Sequence, residues 1–276
     1  MTARDPAPPA SGRRAAGGSG TGTSGADGPV ALVTGAGRGL GRLVAGALVR
    51  SGARVLTCST RATPPGVGER WHAAVDVTDP SAAGRLVREA TDRFHRLDVL
   101  VNNAGYANAP ALLPETPEAI AQRCFSTNAL APMALMARAI PVMLAQPAGG
   151  VIVNVASRAG VVPVPRLAAY SASKSALVSL TLAVAKEYPD SRLVCVCVCP
   201  GGMDTEMREA VFGAEDARGQ QPPERVADVI LEIATRRSVG GRSVPSGAAI
   251  VVAKGEDPQV IDWPADARGH RRFTLG

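Results

Sequence analysis

The chain has 276 residues, 46% hydrophobic but only 3% aromatic, which is enough for one sizeable α/β domain with an aliphatic core. The net charge is +6, yet only three of the 30 basic residues are lysines and the arginines are scattered apart from a cluster at Arg268 to Arg272, so nucleic acid is not the expected partner. No apolar run approaches the roughly 18 residues of a membrane span, so no membrane partner is expected either.

Residues 1 to 28 are rich in Gly, Ala, Pro, Ser and Thr and carry almost no large apolar side chain. Such a stretch cannot bury enough surface to offset its ordering entropy, which predicts a disordered leader. Arg13-Arg14 are followed by Gly, Ser, Thr and Ala rather than an apolar stretch, so no export signal is read and a cytoplasmic location is expected. "VALV" (30–33) is a short apolar strand ending in glycines, and "GRLVAGALVRSG" (41–52) has helical spacing and a Gly stop. Strands follow at 53–59 and 72–77, a helix at 80–94, a strand at 97–104 and a long helix at about 116 to 145. Next come a strand at 150–157, a helix at about 168 to 188, a strand at 192–199, a helix at about 222 to 236 and a last strand at 248–253. Strand-helix alternation with wholly apolar strands implies a buried parallel sheet with helices on both faces, an α/β fold. The domain is expected over 29–256, with an additional tail over 257–276.

The strand "RLVCVCVC" places Cys195, Cys197 and Cys199 at alternate positions. They share one face but are spaced about 6.6 Å per step, whereas zinc needs its sulfurs about 2.3 Å from one ion. A straight strand cannot converge them, so they read as small buried hydrophobes, and no metal is assigned. The cysteines, with Cys58 and Cys124, are odd in number and have no framework spacing, which suits a reducing compartment.

"ALVTGAGRGLG" (31–41) joins the first strand to the first helix. Gly35, Gly37, Gly39 and Gly41, with Arg38 and Leu40 between them, form a turn whose amides can approach a pyrophosphate at a helix N-terminus. A dinucleotide site of this kind usually has an acidic residue about 20 residues on, for the ribose 2′-hydroxyl. Residues 42 to 68 contain neither Asp nor Glu, and the second strand ends "TCSTR" (57–61), with Ser59 and Arg61. Arg38 and Arg61 can meet a 2′-phosphate by paired hydrogen bonds, which favours NADP(H) and leaves NAD(H) possible.

"SRAGVVPVPRLAAYSASK" (157–174) carries Ser157, Tyr170 and Lys174, the last two at i and i+4 on one helix face. A free tyrosine has a pKa near 10, about three units too high for proton exchange at neutral pH. A nearby ammonium would lower it, letting Tyr170 exchange a proton with a carbonyl or alcohol oxygen that Ser157 also contacts.

"TGAGRGLG" (34–41), "NNAG" (102–105), Asn128 in "STNALAPMAL", Ser157, "YSASK" (170–174) and "PGGMDT" (200–205) together resemble the signature set of short-chain dehydrogenase/reductases, including their 3-oxoacyl reductase-like members. The resemblance implies a single Rossmann-like domain, a doubly wound seven-stranded parallel sheet, and a homo-dimer or homo-tetramer. It makes Tyr170 the acid/base and Ser157 the group that orients the substrate oxygen. Lys174 then also holds the nicotinamide ribose, and Asn128 anchors a water-linked proton relay. Asp76 and Val77 fall at the adenine, Asn103, Ala104 and Gly105 on the adenosine side, and Pro200, Gly201 and Thr205 at the nicotinamide end. The last strand lacks the Asp-Gly-Gly ending common in the family. Expected substrate walls are 106–109, 159–166 and the loop from 203 to about 221. They suit a small-molecule ketone or secondary alcohol with an apolar or acyl-like skeleton. The alternative is a dinucleotide-binding regulatory protein of the same fold that does not catalyse.

Overall fold

The computed structural model describes residues 28–60 and 70–261; the leader to residue 27, Arg61 and residues 262–276 lie outside it. The elements run β1 (Val30–Thr34), α1 (Gly39–Arg50), β2 (Arg54–Ser59), β3 (Arg70–Ala74), α2 (Ala82–Phe94), β4 (Val99–Asn102), α3 (Glu118–Phe125), α4 (Ala131–Leu144) and β5 (Gly150–Val155). They continue with α5 (Ala168–Glu187), β6 (Leu193–Pro200), α6 (Glu206–Phe212), α7 (Ala214–Arg218), α8 (Pro223–Arg236), β7 (Ser238–Val239), β8 (Arg242–Ser243), β9 (Ala249–Val252) and β10 (Gln259–Ile261).

The main sheet has eight strands in the order β10-β9-β6-β5-β4-β1-β2-β3. All pairings are parallel except β10 on β9. The expected count of seven is therefore corrected to eight: seven parallel strands carry an antiparallel edge strand, which lies in the stretch set aside as a tail. β7 and β8 form a separate small hairpin. The chain winds outward in opposite directions from β1 and β4, so the loops after these two strands diverge and leave a cleft.

Both faces of the sheet are covered because its central strands are apolar on both sides over most of their length. Val33, Val101, Val153 and Val198 pack with Val44 and Leu48 of α1 and Ile230 and Ile233 of α8. Leu32, Leu100, Ile152 and Cys195 face the other way, against Leu86 of α2 and Met136 and Met143 of α4. Cys197 and Cys199 meet Leu177, Val178 and Leu182 of α5. Each such side chain contributes about 1.5–3 kcal/mol of transfer free energy when fully buried.

Two boundaries differ from expectation for local reasons. β3 ends at Ala74 rather than residue 77 because Asp76 turns the chain, its Oδ1 accepting from Thr78 N (2.9 Å) and Thr78 Oγ1 (2.8 Å). The long helix is interrupted by a π-helical turn at Ser126–Leu130. By length and composition the run Glu118–Leu144 could cross a membrane. Here α4 lays Leu135, Met136, Ala139, Ile140 and Met143 on the core, as a core helix does.

All five cysteines are free and buried. Burial pushes the Cys58 and Cys195 thiols up to about 12. In the unfolded chain a thiol ionises near pH ~8.5. The folded form thus keeps protons that the unfolded form sheds, so this stability is complete below that pH and drains away as pH rises towards 12. Between pH 8 and 10 the urea midpoint of the parent should therefore fall more steeply than that of Cys58→Ala/Cys195→Ala. Equal slopes would contradict the burial effect.

Candidate active site

A cleft of about 870 Å³ opens at the carboxyl ends of the parallel strands. Its volume lies in the range of small-molecule and cofactor sites, roughly 300–1,000 Å³. Ser157, Tyr170, Lys174, Gly35, Gly37, Arg38, Gly39, Leu40, Gly41, Ser59, Asp76, Val77, Asn103, Ala104, Gly105, Pro200, Gly201 and Thr205 all line it. Asn128 does not line it and is fully buried behind it, and Arg61 lies outside the described residues.

At one end the chain leaves β1 through Thr34 and turns on Gly35, whose φ of +66° favours glycine. A Cβ there would lie 2.7 Å from Ala104 Cα, and one at Gly41 would lie 2.3 Å from Asn103 Nδ2. At Gly37 it would meet Ser59 Oγ at 2.8 Å. The loops are therefore packed so closely that none of these three positions has room for a side chain. α1 begins at Gly39 with no side-chain cap and no acidic residue in its first turn. The orphan amides of that turn carry partial positive charge, the chemistry a pyrophosphate needs. The glycine cradle, the uncapped helix and the cleft volume fit a dinucleotide.

Thr34 was not singled out from the sequence, yet it joins the two loops. Its Oγ1 accepts from Asn103 N and Ala104 N, both at 3.0 Å. Asn103 Nδ2 in turn donates to Thr34 O (2.9 Å) and Gly35 O (3.2 Å). Arg38 is ion-paired with Glu206 at the start of α6, a partner with no local sequence signal. Thr57 Oγ1 and Ser59 Oγ lie 2.9 and 3.4 Å from the two ring nitrogens of His72.

At the other end Ser157 follows β5, and its Oγ accepts from Ala159 N (3.1 Å) in a tight turn. Tyr170 lies in the first turn of α5 and Lys174 one turn later. Lys174 is 4% exposed, and its Nζ donates to Val155 O at 2.7 Å. Desolvation lowers this ammonium to about 8. The expectation that Lys174 depresses the phenol is corrected here. Burial holds Tyr170 above its ordinary value, and the chief opposing influence is the Ser157 hydroxyl. The ammonium is instead directed at a main-chain carbonyl.

Asn128 sits in the π-helical turn. Its Oδ1 accepts from Tyr106 N (2.9 Å), and its Nδ2 donates to Tyr106 O (2.8 Å) and Ser173 Oγ (2.9 Å). Ser173, inside "YSASK" but given no role from sequence, passes the chain on by donating to Tyr170 O (2.8 Å). At the end of β6, Gly201 N donates to Val252 O (2.9 Å), and Thr205 caps α6 by accepting from Arg208 N (3.3 Å).

Tyr106, Met203 and Met207 wall the remaining part of the cleft, with Gln122 and Arg123 of α3. Arg123 stacks 4.3 Å over the Tyr106 ring. None of residues 159–166, expected to wall the substrate, lines the cleft. This segment folds back onto α5, where Ser175 Oγ donates to Gly160 O (2.8 Å) and Val164 N donates to Ser171 Oγ (3.1 Å). The loop after Met203 is not irregular; it forms α6 and α7, braced by Arg208 over Phe212 (4.0 Å) and against Asp216.

Over residues 29–216 the sequence matches the short chain dehydrogenase family. It is 33% identical to the 2-(R)-hydroxypropyl-CoM dehydrogenase of Xanthobacter autotrophicus over 248 residues, 86% of this chain and 95% of that protein. It is 34% identical to the 3beta-hydroxysteroid dehydrogenase of Mediterraneibacter gnavus over 192 residues, 66% of this chain and 69% of that one. Among solved structures it resembles a 3-ketoacyl-(acyl-carrier-protein) reductase from Brucella melitensis complexed with NADH. The TM-score is 0.75 at 26% identity, covering 83% of this chain and 98% of that chain.

Replacing Thr34 by Val keeps the shape but leaves the amides of Asn103 and Ala104 without their acceptor. Each unpaired group costs about 1–3 kcal/mol. Urea unfolding should show Thr34→Val less stable by about 2–4 kcal/mol, and a loss under ~0.5 kcal/mol would show that the clamp does not hold the loops.

Proposed function

Because the chain belongs to the short chain dehydrogenase family, we propose that it is an NAD(P)-dependent oxidoreductase that interconverts a ketone and a secondary alcohol. One observation carries the reading: Ser157, Tyr170 and Lys174 face the same cleft as the glycine cradle. A bound nicotinamide dinucleotide supplies or takes up the hydride; the chain supplies the proton and the electrostatics. The cradle amides of α1 would hold the pyrophosphate, and Lys174 would hydrogen-bond the nicotinamide ribose. Ser157 donates to the substrate oxygen and stabilises charge that develops there. Tyr170 gives that oxygen its proton in reduction and takes it back in oxidation. Asn128 positions the Tyr106 main chain beside the reacting centre.

Met203, Met207 and Tyr106 favour an apolar or acyl-like ketone as the small-molecule substrate. The preference for NADP(H) rests on the lack of an acidic residue after β2 and on Arg38 at the cleft. Exposed Phe125, Leu130 and Met133 on the α3–α4 run favour association of copies as a homo-dimer or homo-tetramer. The free, buried thiols suit the cytoplasm.

Tyr170→Phe removes only the acid. With the fold intact by circular dichroism, ketone reduction should fall by about 100-fold or more while cofactor affinity stays within about twofold. Full residual turnover would overturn the assignment, and a parent that binds cofactor yet reduces no ketone would favour the non-catalytic alternative. Arg38→Ala should narrow the ratio of NADPH to NADH affinity by about tenfold, the size of one charge-assisted hydrogen bond. An unchanged ratio would remove the NADP preference.

A further inference from the structure

Gln221 lies in the turn between α7 and α8, is 1% exposed, and takes no part in the chemistry above. Two of its main-chain groups grip the loop that follows β6, and its side chain grips the end of β9. Gln221 N donates to Gly202 O (3.4 Å), and Asp204 N donates to Gln221 O (2.9 Å). The side-chain Nε2 donates to Val252 O (2.8 Å), the carbonyl at the end of β9 that also receives Gly201 N (2.9 Å). The first two bonds make a parallel bridge between Met203 and Gln221. A bridge of this kind uses Gly202 O and Asp204 N, so the N–H and C=O of Met203 between them turn to the opposite side. Met203 lines the cleft.

The Gln221 amide is not there for packing. Its Oε1 is buried with no hydrogen-bond partner among the described residues, a penalty an apolar side chain would not carry. Reversing the amide would only set that oxygen against Val252 O. The donor end therefore has a single task, to hold the loop against β9.

We propose that Gln221 is a positioning residue for the nicotinamide half of the cofactor. By tying residues 200–205 to the end of β9, it holds the Met203 main chain as a fixed donor–acceptor pair at the cleft. A primary carboxamide, itself one donor and one acceptor, complements that pair. The proposal rests on the nicotinamide reading of the site given above.

The test compares cofactors with their nicotinamide-free halves by calorimetry, without turnover: NADH with ADP-ribose, and NADPH with 2′-phospho-ADP-ribose. Gln221→Met keeps the length and drops the amide. It should weaken the preferred dinucleotide by about tenfold and leave the matching half within about twofold. Equal weakening of both, or of neither, would overturn the positioning role. A parent that binds neither NADH nor NADPH would sink the oxidoreductase reading itself, an outcome distinct from a parent that binds and a variant that binds equally well. If Gln221→Met does not fold, Gln221→Glu takes its place. A buried carboxyl protonated at low pH can donate to Val252 O as the amide does. Dinucleotide affinity should then recover from pH 8 to pH 6 while the half-molecule stays level; no recovery would overturn the proposal.

Discussion

The site is built around the side chain of Asn103, lodged between Gly35 and Gly41. Its Nδ2 bonds two successive carbonyls of the turn after β1, and Thr34 Oγ1 returns two bonds to the main chain of the Asn103 loop. With only 2.3 Å between Asn103 Nδ2 and a Cβ imagined on Gly41, no other residue type fits at that point of the first turn of α1. This contact sets how far the α1 N-terminus stands from the sheet, and hence where its orphan amides point. The divergence of the chain at β1 and β4 makes a cleft available; the Asn103 contact makes it a cradle of defined depth.

The same loop continues to the Tyr170 end of the cleft. Two residues past Asn103, Gly105 stands beside the ammonium: a Cβ there would lie 3.5 Å from Lys174 Nζ, in ordinary contact. At Tyr106 the main chain is held on both its N–H and its C=O by one side chain, Asn128. The π-helical turn explains how a helical asparagine can do this. One extra residue in a turn displaces a side chain from the regular stripe, and such turns recur at functional sites. From Asn128 the chain of bonds passes through Ser173 to the carbonyl of Tyr170 itself. The glycine loop, the Asn103 loop and α5 are thus one hydrogen-bonded body, joined through Asn128 and Ser173.

Much of this was legible because it is local. The apolar runs marked the parallel strands, and glycines at a strand-to-helix turn marked the cradle. The i, i+4 spacing placed Tyr170 and Lys174 on one face. Non-local features were hidden. β10 is three residues long with two of them exposed, so no apolar run announces it. The π-helical turn has the same composition as the helix around it. Arg38 and Glu206 are 168 positions apart. The direction of the Tyr170 phenol depends on how much of the protein surrounds it, and helix spacing carries no measure of that. Residues 159–166, expected to wall the substrate, are drawn away from the cleft by non-local contacts with α5.

What holds α6 over the cleft can be ranked by magnitude. The Arg38–Glu206 pair spans the cleft mouth, but its side chains are 45% and 58% exposed. A pair that open to water contributes about 0–1 kcal/mol, and less as salt rises. The Thr205 cap secures only the first turn of α6 to itself, typically about 1 kcal/mol. The side-chain bond from Gln221 to Val252 O is buried, so breaking it without removing the amide would leave that donor unpaired, at about 1–3 kcal/mol. The base of α6 is therefore set from beneath, by the end of β9, while the Arg38–Glu206 pair adds little at its outer edge. β6 is the strand that transmits this order. It is buried on both faces and in register with β5 on one side and β9 on the other, so it delivers Pro200 and Gly201 to the cleft at a height fixed by the sheet. The alternating cysteines serve that task by being small: they leave room for α5 to lie close enough for Lys174 to reach Val155 O.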